Sequence, residues 1–163
     1  MEKFEFDDIS FSEDTRILYE GHHINGMNLA PEAFPLFMTS AFNMGNPDDV
    51  EHAYDTKGYT YIRTRNPNRK ALADVLTYLE QGKDTLIFSS GMGAITTTYF
   101  ALLQPGDHMI CNENIYGETF DAITSLVKNY GVTTTFVPFD DLDAVKAAVQ
   151  PNTKMLYLQL LPE

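Results

Sequence analysis

Three groups of residues have the types and spacing to do chemistry. The first is Ser89-Ser90-Gly91-Met92-Gly93, a run of small residues between a short apolar stretch (Leu86, Ile87, Phe88) and a helical pattern reaching Leu103. Glycines let a backbone come close to a ligand, and the unbonded N–H groups of a first helical turn point at whatever sits there. The helix dipole adds partial positive charge at the same place, so the expected occupant is an anion, ordinarily a phosphate. A plain packing turn between strand and helix uses the same residues, and on this motif alone both readings stand.

The second group is Tyr116-Gly117, in a loop just before another helix. A tyrosine there can stack on a flat ring or simply cap the core. The third is Arg63 and Arg65 with Tyr59 and Tyr61, a basic and phenolic cluster in an acidic protein. Arginine suits phosphate through paired N–H bonds; a solvated pair of arginines is the plainer alternative.

Other constellations carry less. His22-His23, His52 and His108 lack metal-ligand spacing and have no cysteine partners, so no metal site is expected. SSGMG lacks the G-x-S-x-G spacing of a nucleophile elbow. GMGAI departs from G-x-G-x-x-G, since Thr96 follows where a glycine is needed, which leaves a nucleotide-binding domain a weak rival. Asp140, Asp141 and Asp143 open a helix, where the dipole favours acids.

The elements that must position these groups begin late in the chain. Up to about residue 60 there is little periodicity: Pro31, Pro35 and Pro47, with Gly21, Asn25, Gly26, Asn28, Gly45 and Asn46, interrupt long elements, and a helix over 48–54 is the one candidate. Phe34, Phe37, Phe42, Tyr54, Tyr59 and Tyr61 nonetheless make this stretch aromatic. Such an arm packs either on another subunit or over its own domain. From Asn66 the pattern is regular. NPNRKALADVLTYLEQG predicts a helix with Leu72, Val75, Leu76 and Leu79 inward, Pro67 near its start and Gly82 just past its end. There follow a strand at 86–88, the small-residue turn, and a helix with Ile95, Tyr99, Leu102 and Leu103 on one face. Next come a turn at 104–107, a strand at 108–111 and a helix over 117–130 with Phe120, Ile123, Val127 and Tyr130 inward, closed by Gly131. A strand at 132–137, a helix over 140–150 and a strand over 154–159 complete the series. Alternating strand and helix predict an α/β fold with a parallel sheet, whose ligands sit at the carboxyl ends of the strands. That singles out the loops 89–93 and 112–117.

Composition narrows the function classes. The chain has 163 residues, room for one real core, and a formal charge of −12, from 23 acids against 11 bases. So acidic a surface disfavours nucleic acid and anionic membrane as partners. Cys111 stands alone, which suits a reducing compartment. The opening MEKFEFDDIS has no basic start or apolar core, and no apolar run nears the ~20 residues that span a bilayer. A cytoplasmic protein without signal peptide is the expectation.

Taken together, YTYIRTRNPN (59–68), SSGMGAI (89–95), LLQPGDHMI (102–110) and IYGETF (115–120) resemble the Cys/Met-metabolism family of pyridoxal-phosphate enzymes, with APEAFPLFMTSAF (30–42) also similar. That family includes cystathionine γ-synthase, the cystathionine lyases, methionine γ-lyase and O-acetylhomoserine sulfhydrylase. The resemblance implies the N-terminal part of a type I, aspartate aminotransferase-like fold: an oligomer-contacting arm over 1–60, then the first part of the cofactor-binding large domain over 61–163. It implies pyridoxal 5'-phosphate held by Ser90, Gly91 and Met92, with Tyr61 and Arg63 reaching the phosphate of a neighbouring subunit. Tyr116 would stack on the ring and assist proton transfer or leaving-group departure. The substrate would be a sulfur amino acid, and the assembly a homo-oligomer with shared cofactor sites.

This chain departs from the family in three respects. Family members are more than twice as long, and the Schiff-base lysine and the pyridine-nitrogen aspartate would fall past residue 163. An N-terminal piece inactive alone is therefore expected, or a truncated homologue serving as an oligomerisation or regulatory partner. The family's E-[ST]-x-x-N-P is here Gln159-Leu160-Leu161-Pro162-Glu163, with Glu163 where an asparagine is expected. Glu118 stands where methionine γ-lyases carry cysteine, which weakens methionine as the favoured substrate.

Overall fold

Short polar side chains set the helix starts. Asn46, Asn66, Ser90 and Asp141 each stand one residue before a first helical turn and accept a backbone N–H from inside it, satisfying donors that have no intrahelical partner. The computed structural model describes residues 12–19 and 33–160 and falls into two compact units, one ending at Ile87 and the other starting at Phe88. His22, His23, Pro31 and Glu163 lie outside the described residues, as do Gly21, Asn25, Gly26 and Asn28.

The first unit holds α1 (Glu13–Tyr19), α2 (Pro47–Asp55) and α3 (Pro67–Leu79). Here α2 extends the helix expected at 48–54 by one residue at each end, and α1 lies in a stretch whose sequence shows little periodicity. The end of α3 is made by Gln81, which takes the left-handed conformation (φ 49°) just before Gly82. Its side chains differ from expectation: Leu72 and Leu79 are exposed, and Pro67 and Ala73 are the residues buried. The aromatic arm packs on its own unit. Phe37 contacts Phe34 and Phe42, and Phe42 contacts Tyr59, with ring centroids 6.0–6.3 Å apart. Asn68 ties the arm down, accepting the Phe37 N–H and donating to the Pro35 carbonyl, both at 2.8 Å.

The second unit contains α4 (Gly91–Leu102), β1 (His108–Asn112), α5 (Gly117–Ala122), β2 (Thr133–Val137), α6 (Leu142–Ala147) and β3 (Thr153–Tyr157). The strands form a parallel sheet in the order β2-β1-β3, as the alternating pattern requires. Met109 and Cys111 point to one face beside Phe136, Met155 and Tyr157, and against them pack Tyr99 and Leu103 from the α4 end, Ile123, Val127 and Val132. The Tyr99 hydroxyl is buried there beside Tyr157, whose ring lies 5.1 Å away centroid to centroid. Burial pushes the Cys111 thiol up to about 12, so it behaves as a small apolar group at neutral pH.

Three expectations need correction. Leu86–Phe88 form no strand: a strand exists through its ladder, no described strand pairs with these residues, and Leu86 is 78% exposed. The helix expected over 117–130 changes character in its middle, where Ile123–Val127 form a π-helical stretch after α5. Thr124 and Ser125 donate to the carbonyls of Phe120 and Asp121 (2.9 and 2.5 Å), and hydroxyls bonded back in this way loosen the regular ladder. Phe120 and Tyr130 are consequently half-exposed and pack sideways on Phe136 and Phe100, while Thr119, Ala122, Ile123 and Val127 face the core. Leu102 is likewise exposed, and Leu103 buried. Gly131 does stop the helix, at φ 95°.

Candidate functional site

The turn after Phe88 delivers Ser90 to the cap position of α4. Its Oγ accepts the Gly93 N–H at 3.0 Å, and the Ala94 N–H goes to the Ser90 carbonyl at 3.1 Å. Two donors of the first turn remain, Gly91 and Met92, and among the described residues no acceptor meets them. Gly91 is exposed, and a Cβ placed on it would meet nothing within 4 Å. Gly93 is the opposite case, with the Ser90 Oγ 2.9 Å from where its Cβ would stand. The outcome is an open helix N-terminus of twelve residues with two outward N–H groups, able to accept an oxyanion from solvent.

Two further segments meet this turn at the carboxyl ends of the strands. Thr119, fully buried in the first turn of α5, donates its hydroxyl to the Met92 Sδ at 3.8 Å and so joins the starts of α4 and α5. Tyr116 caps α5 with a 49% exposed side chain, and its N–H is taken by the Gln159 Oε1 at 3.0 Å. The hydrogen-bonded, negatively charged side chain of Glu118 raises the Tyr116 phenol above its ordinary value, making it a weaker acid than a free tyrosine. Ser90, Gly91, Met92 and Tyr116 thus gather in one unit. The hollow of about 450 Å³ bordered by Ile123, Lys128, Val132, Thr134 and Phe136 lies elsewhere, against β2.

In the first unit, Tyr61 and Arg63 stand together. Tyr61 forms an antiparallel bridge with Ala41, framed by Phe42 N–H to the Thr60 carbonyl and Ile62 N–H to the Ser40 carbonyl. The Arg63 guanidinium lies 5.2 Å from the Tyr61 ring centroid, and both side chains are exposed. The loop that presents them is gathered by a residue sequence reasoning missed. Arg69 donates to the carbonyls of Ile62, Arg63 and Thr64 at 3.5, 3.3 and 3.0 Å. A signal was available: Arg69 stands in the first turn of α3, where the dipole disfavours a cation unless something else engages it. Thr119 was missed as well, and no local pattern marks it; Gln159 stands first in the segment that resembles the family's E-[ST]-x-x-N-P, but nothing in that segment foretells its contact with Tyr116. Among the described residues no cluster of His, Cys, Asp or Glu could hold a metal, and no helix is long and apolar enough to cross a membrane.

Comparison with known proteins gives a consistent result. A family model described as Cys/Met metabolism PLP-dependent enzyme matches residues 14–161. An L-methionine gamma-lyase of Fusobacterium nucleatum is 35% identical over 129 residues, covering 78% of this chain and 33% of its own. A cystathionine gamma-lyase of Bacillus subtilis is 36% identical over 125 residues, covering 77% and 31%. The crystal structure of a cystathionine gamma-lyase from Lactobacillus plantarum, complexed with L-serine, superposes with a TM-score of 0.78 at 33% identity, covering 91% of this chain and 36% of that one. The chain therefore spans about a third of the length of the relatives it matches.

Proposed function

We propose, on the premise that this chain belongs to the family of Cys/Met metabolism PLP-dependent enzymes, that it supplies the phosphate-holding and ring-covering part of an enzyme acting at the γ- or β-carbon of a sulfur amino acid. On this reading the whole protein is a carbon–sulfur lyase or transferase of the cytoplasm. It works as a homo-oligomer, dimer or tetramer, with residues 1–60 as the contacting arm and 61–163 as the first part of the large domain. The residues present fit the cofactor at the turn before α4. The N–H groups of Gly91 and Met92 would hold its phosphate and Ser90 would keep the turn in shape, while the space over Gly91 lets an oxyanion approach. Pyridoxal phosphate supplies an electron sink for carbanion chemistry when bound.

The chain's own residues supply orientation and proton control. Arg63, held over the Tyr61 ring, offers a planar fork of donors to a phosphate brought by a neighbouring protomer. Tyr116, hydrogen-bonded to Glu118, would cover the ring and hold a proton at its hydroxyl oxygen for transfer to a departing group. Glu118 also places negative charge beside that phenol. This favours substrates whose far end carries an ammonium, as cystathionine does, over the uncharged methylthio end of methionine.

The observation that carries the proposal is the pair of unmatched N–H groups at Gly91 and Met92 beneath open space. Titration with pyridoxal phosphate, followed by its induced visible circular dichroism and by competition with inorganic phosphate, tests it. Binding that phosphate displaces, and that Gly91→Ala weakens, is expected. Binding indifferent to both would overturn the assignment of the turn.

A further inference from the structure

Gln159 lies just past the end of β3, at the first position of the segment set beside E-[ST]-x-x-N-P, and no contact is assigned to it there. Its Oε1 accepts the Tyr116 N–H at 3.0 Å across 43 residues of sequence, from β3 to the loop following β1. The other end of that loop is fastened toward β2: the Glu113 N–H goes to the Val137 carbonyl at 3.1 Å, and the Asn112 Oδ1 accepts the Phe139 N–H at 3.3 Å. The Tyr116 end has one such tie among the described residues, and Gln159 makes it. Tyr116 is also the cap of α5 and caps it with no side-chain bond. Glu118 engages the hydroxyl at the tip of its exposed ring, while the base of that ring is placed by its backbone, which a side chain from just past another strand holds.

We infer that Gln159 is the positioning residue for Tyr116, fixing through the Tyr116 N–H where its ring stands at the mouth of the site; the functional side of this rests on the proposed cofactor site. The chemistry needs an acceptor at this position, which a carboxamide or a carboxylate supplies and an alkyl group does not. Because the Tyr116 N–H lies near solvent, water replaces a lost acceptor cheaply. The effect of losing Gln159 is thus confined to where Tyr116 points, with little change in global stability.

The test compares the chain with Gln159→Leu and Gln159→Glu. Amide exchange and the χ1 couplings of Tyr116 are followed by NMR, and added pyridoxal phosphate by its induced visible circular dichroism. In Gln159→Leu the Tyr116 amide is expected to exchange about tenfold faster, the value of one ordinary hydrogen bond. Its χ1 couplings should average and the dichroism weaken, while β1 amides and the unfolding midpoint stay unchanged. Gln159→Glu should restore all three. Unchanged exchange and couplings in Gln159→Leu overturn the inference, and so does a dichroic signal that persists while the couplings average. Absence of any signal with the unaltered chain counts against the cofactor site, and the exchange and coupling results then decide the role of Gln159 alone.

Discussion

The Ser90 hydroxyl stands 3.0 Å from the Gly93 N–H that it accepts and 2.9 Å from the point a Gly93 Cβ would occupy. One atom thus both caps α4 and closes the space behind it. The consequence falls on the two glycines unequally. Gly93 is needed for the cap to seat, whereas Gly91, with nothing above it, is needed only if something else comes to fill that space.

Ser90→Ala removes the cap and leaves the Gly93 N–H to water. A loss of about 1 kcal/mol in urea unfolding is expected, because helix caps of this kind contribute that much and the site is open to solvent. A loss below ~0.3 kcal/mol would mean that the hydroxyl does not hold the turn.

Gly91→Ala separates folding from binding. The added methyl meets nothing in the chain, and alanine is a better helix former than glycine, so stability should be unchanged or slightly raised. The same methyl intrudes on the approach to the two free N–H groups, so affinity for pyridoxal phosphate or inorganic phosphate should fall about tenfold, as for one lost charge-assisted bond. Calorimetric titration of folded variant and parent decides it.

Arg69→Ala should loosen the loop that carries Tyr61 and Arg63. Three carbonyls lose one charged donor, and a cost of about 1–2 kcal/mol is expected for a half-exposed group of this kind. Exchange at the amides of residues 62–64 should rise with it. Arg69→Lys, with a point charge in place of a planar fork, should recover only part. Unaltered exchange in the alanine variant would show the three contacts to be incidental.

The parts legible in the sequence were those set by local chemistry. Asn66 announces a helix start, Gly131 a helix stop, and the β-branched run from Val132 an element of the sheet, which opens at Thr133; the turn expected over 89–93 is shorter, because α4 already begins at Gly91. Of the candidate site, local chemistry announces that Ser90 and Tyr116 stand just ahead of helices; what they hold is a matter for the ligand experiments. What stayed hidden depends on contacts distant in sequence. Leu86–Phe88 are apolar enough for a strand, but a strand needs a neighbour that no periodicity reports. The π-helical stretch carries two hydroxyls that reach back to Phe120 and Asp121, contacts that hydrophobic spacing does not report. Gln159 and Tyr116 meet only because β1 and β3 are adjacent, and His108, lacking any metal-like spacing, found its partners the same way.

His108 gives the last prediction, and its sign follows from its surroundings. Its ring is fully buried at the start of β1. Nδ1 lies 2.7 Å from the Thr153 Oγ1, and Nε2 lies 2.9 Å from the Thr135 Oγ1 and 3.3 Å from the Gln150 Nε2. One imidazole therefore joins β1 to both neighbouring strands through neutral partners, and among the described residues no carboxylate bonds to it. Burial lowers its pKa below the ordinary 6.5. The unfolded chain then takes up a proton at a pH where the folded chain still refuses it. The stability this residue contributes is thus complete above about pH 6.5 and is lost as pH falls from there toward the depressed folded value. Unfolding free energy should drop by up to about 1.4 kcal/mol per pH unit across that window, the limit for one proton. His108→Gln can still donate to one threonine and accept from the other, and should flatten this dependence while costing some stability at pH 8. If urea midpoints of parent and variant run parallel from pH 7.5 to 5, the buried imidazole is not what makes the sheet sensitive to acid.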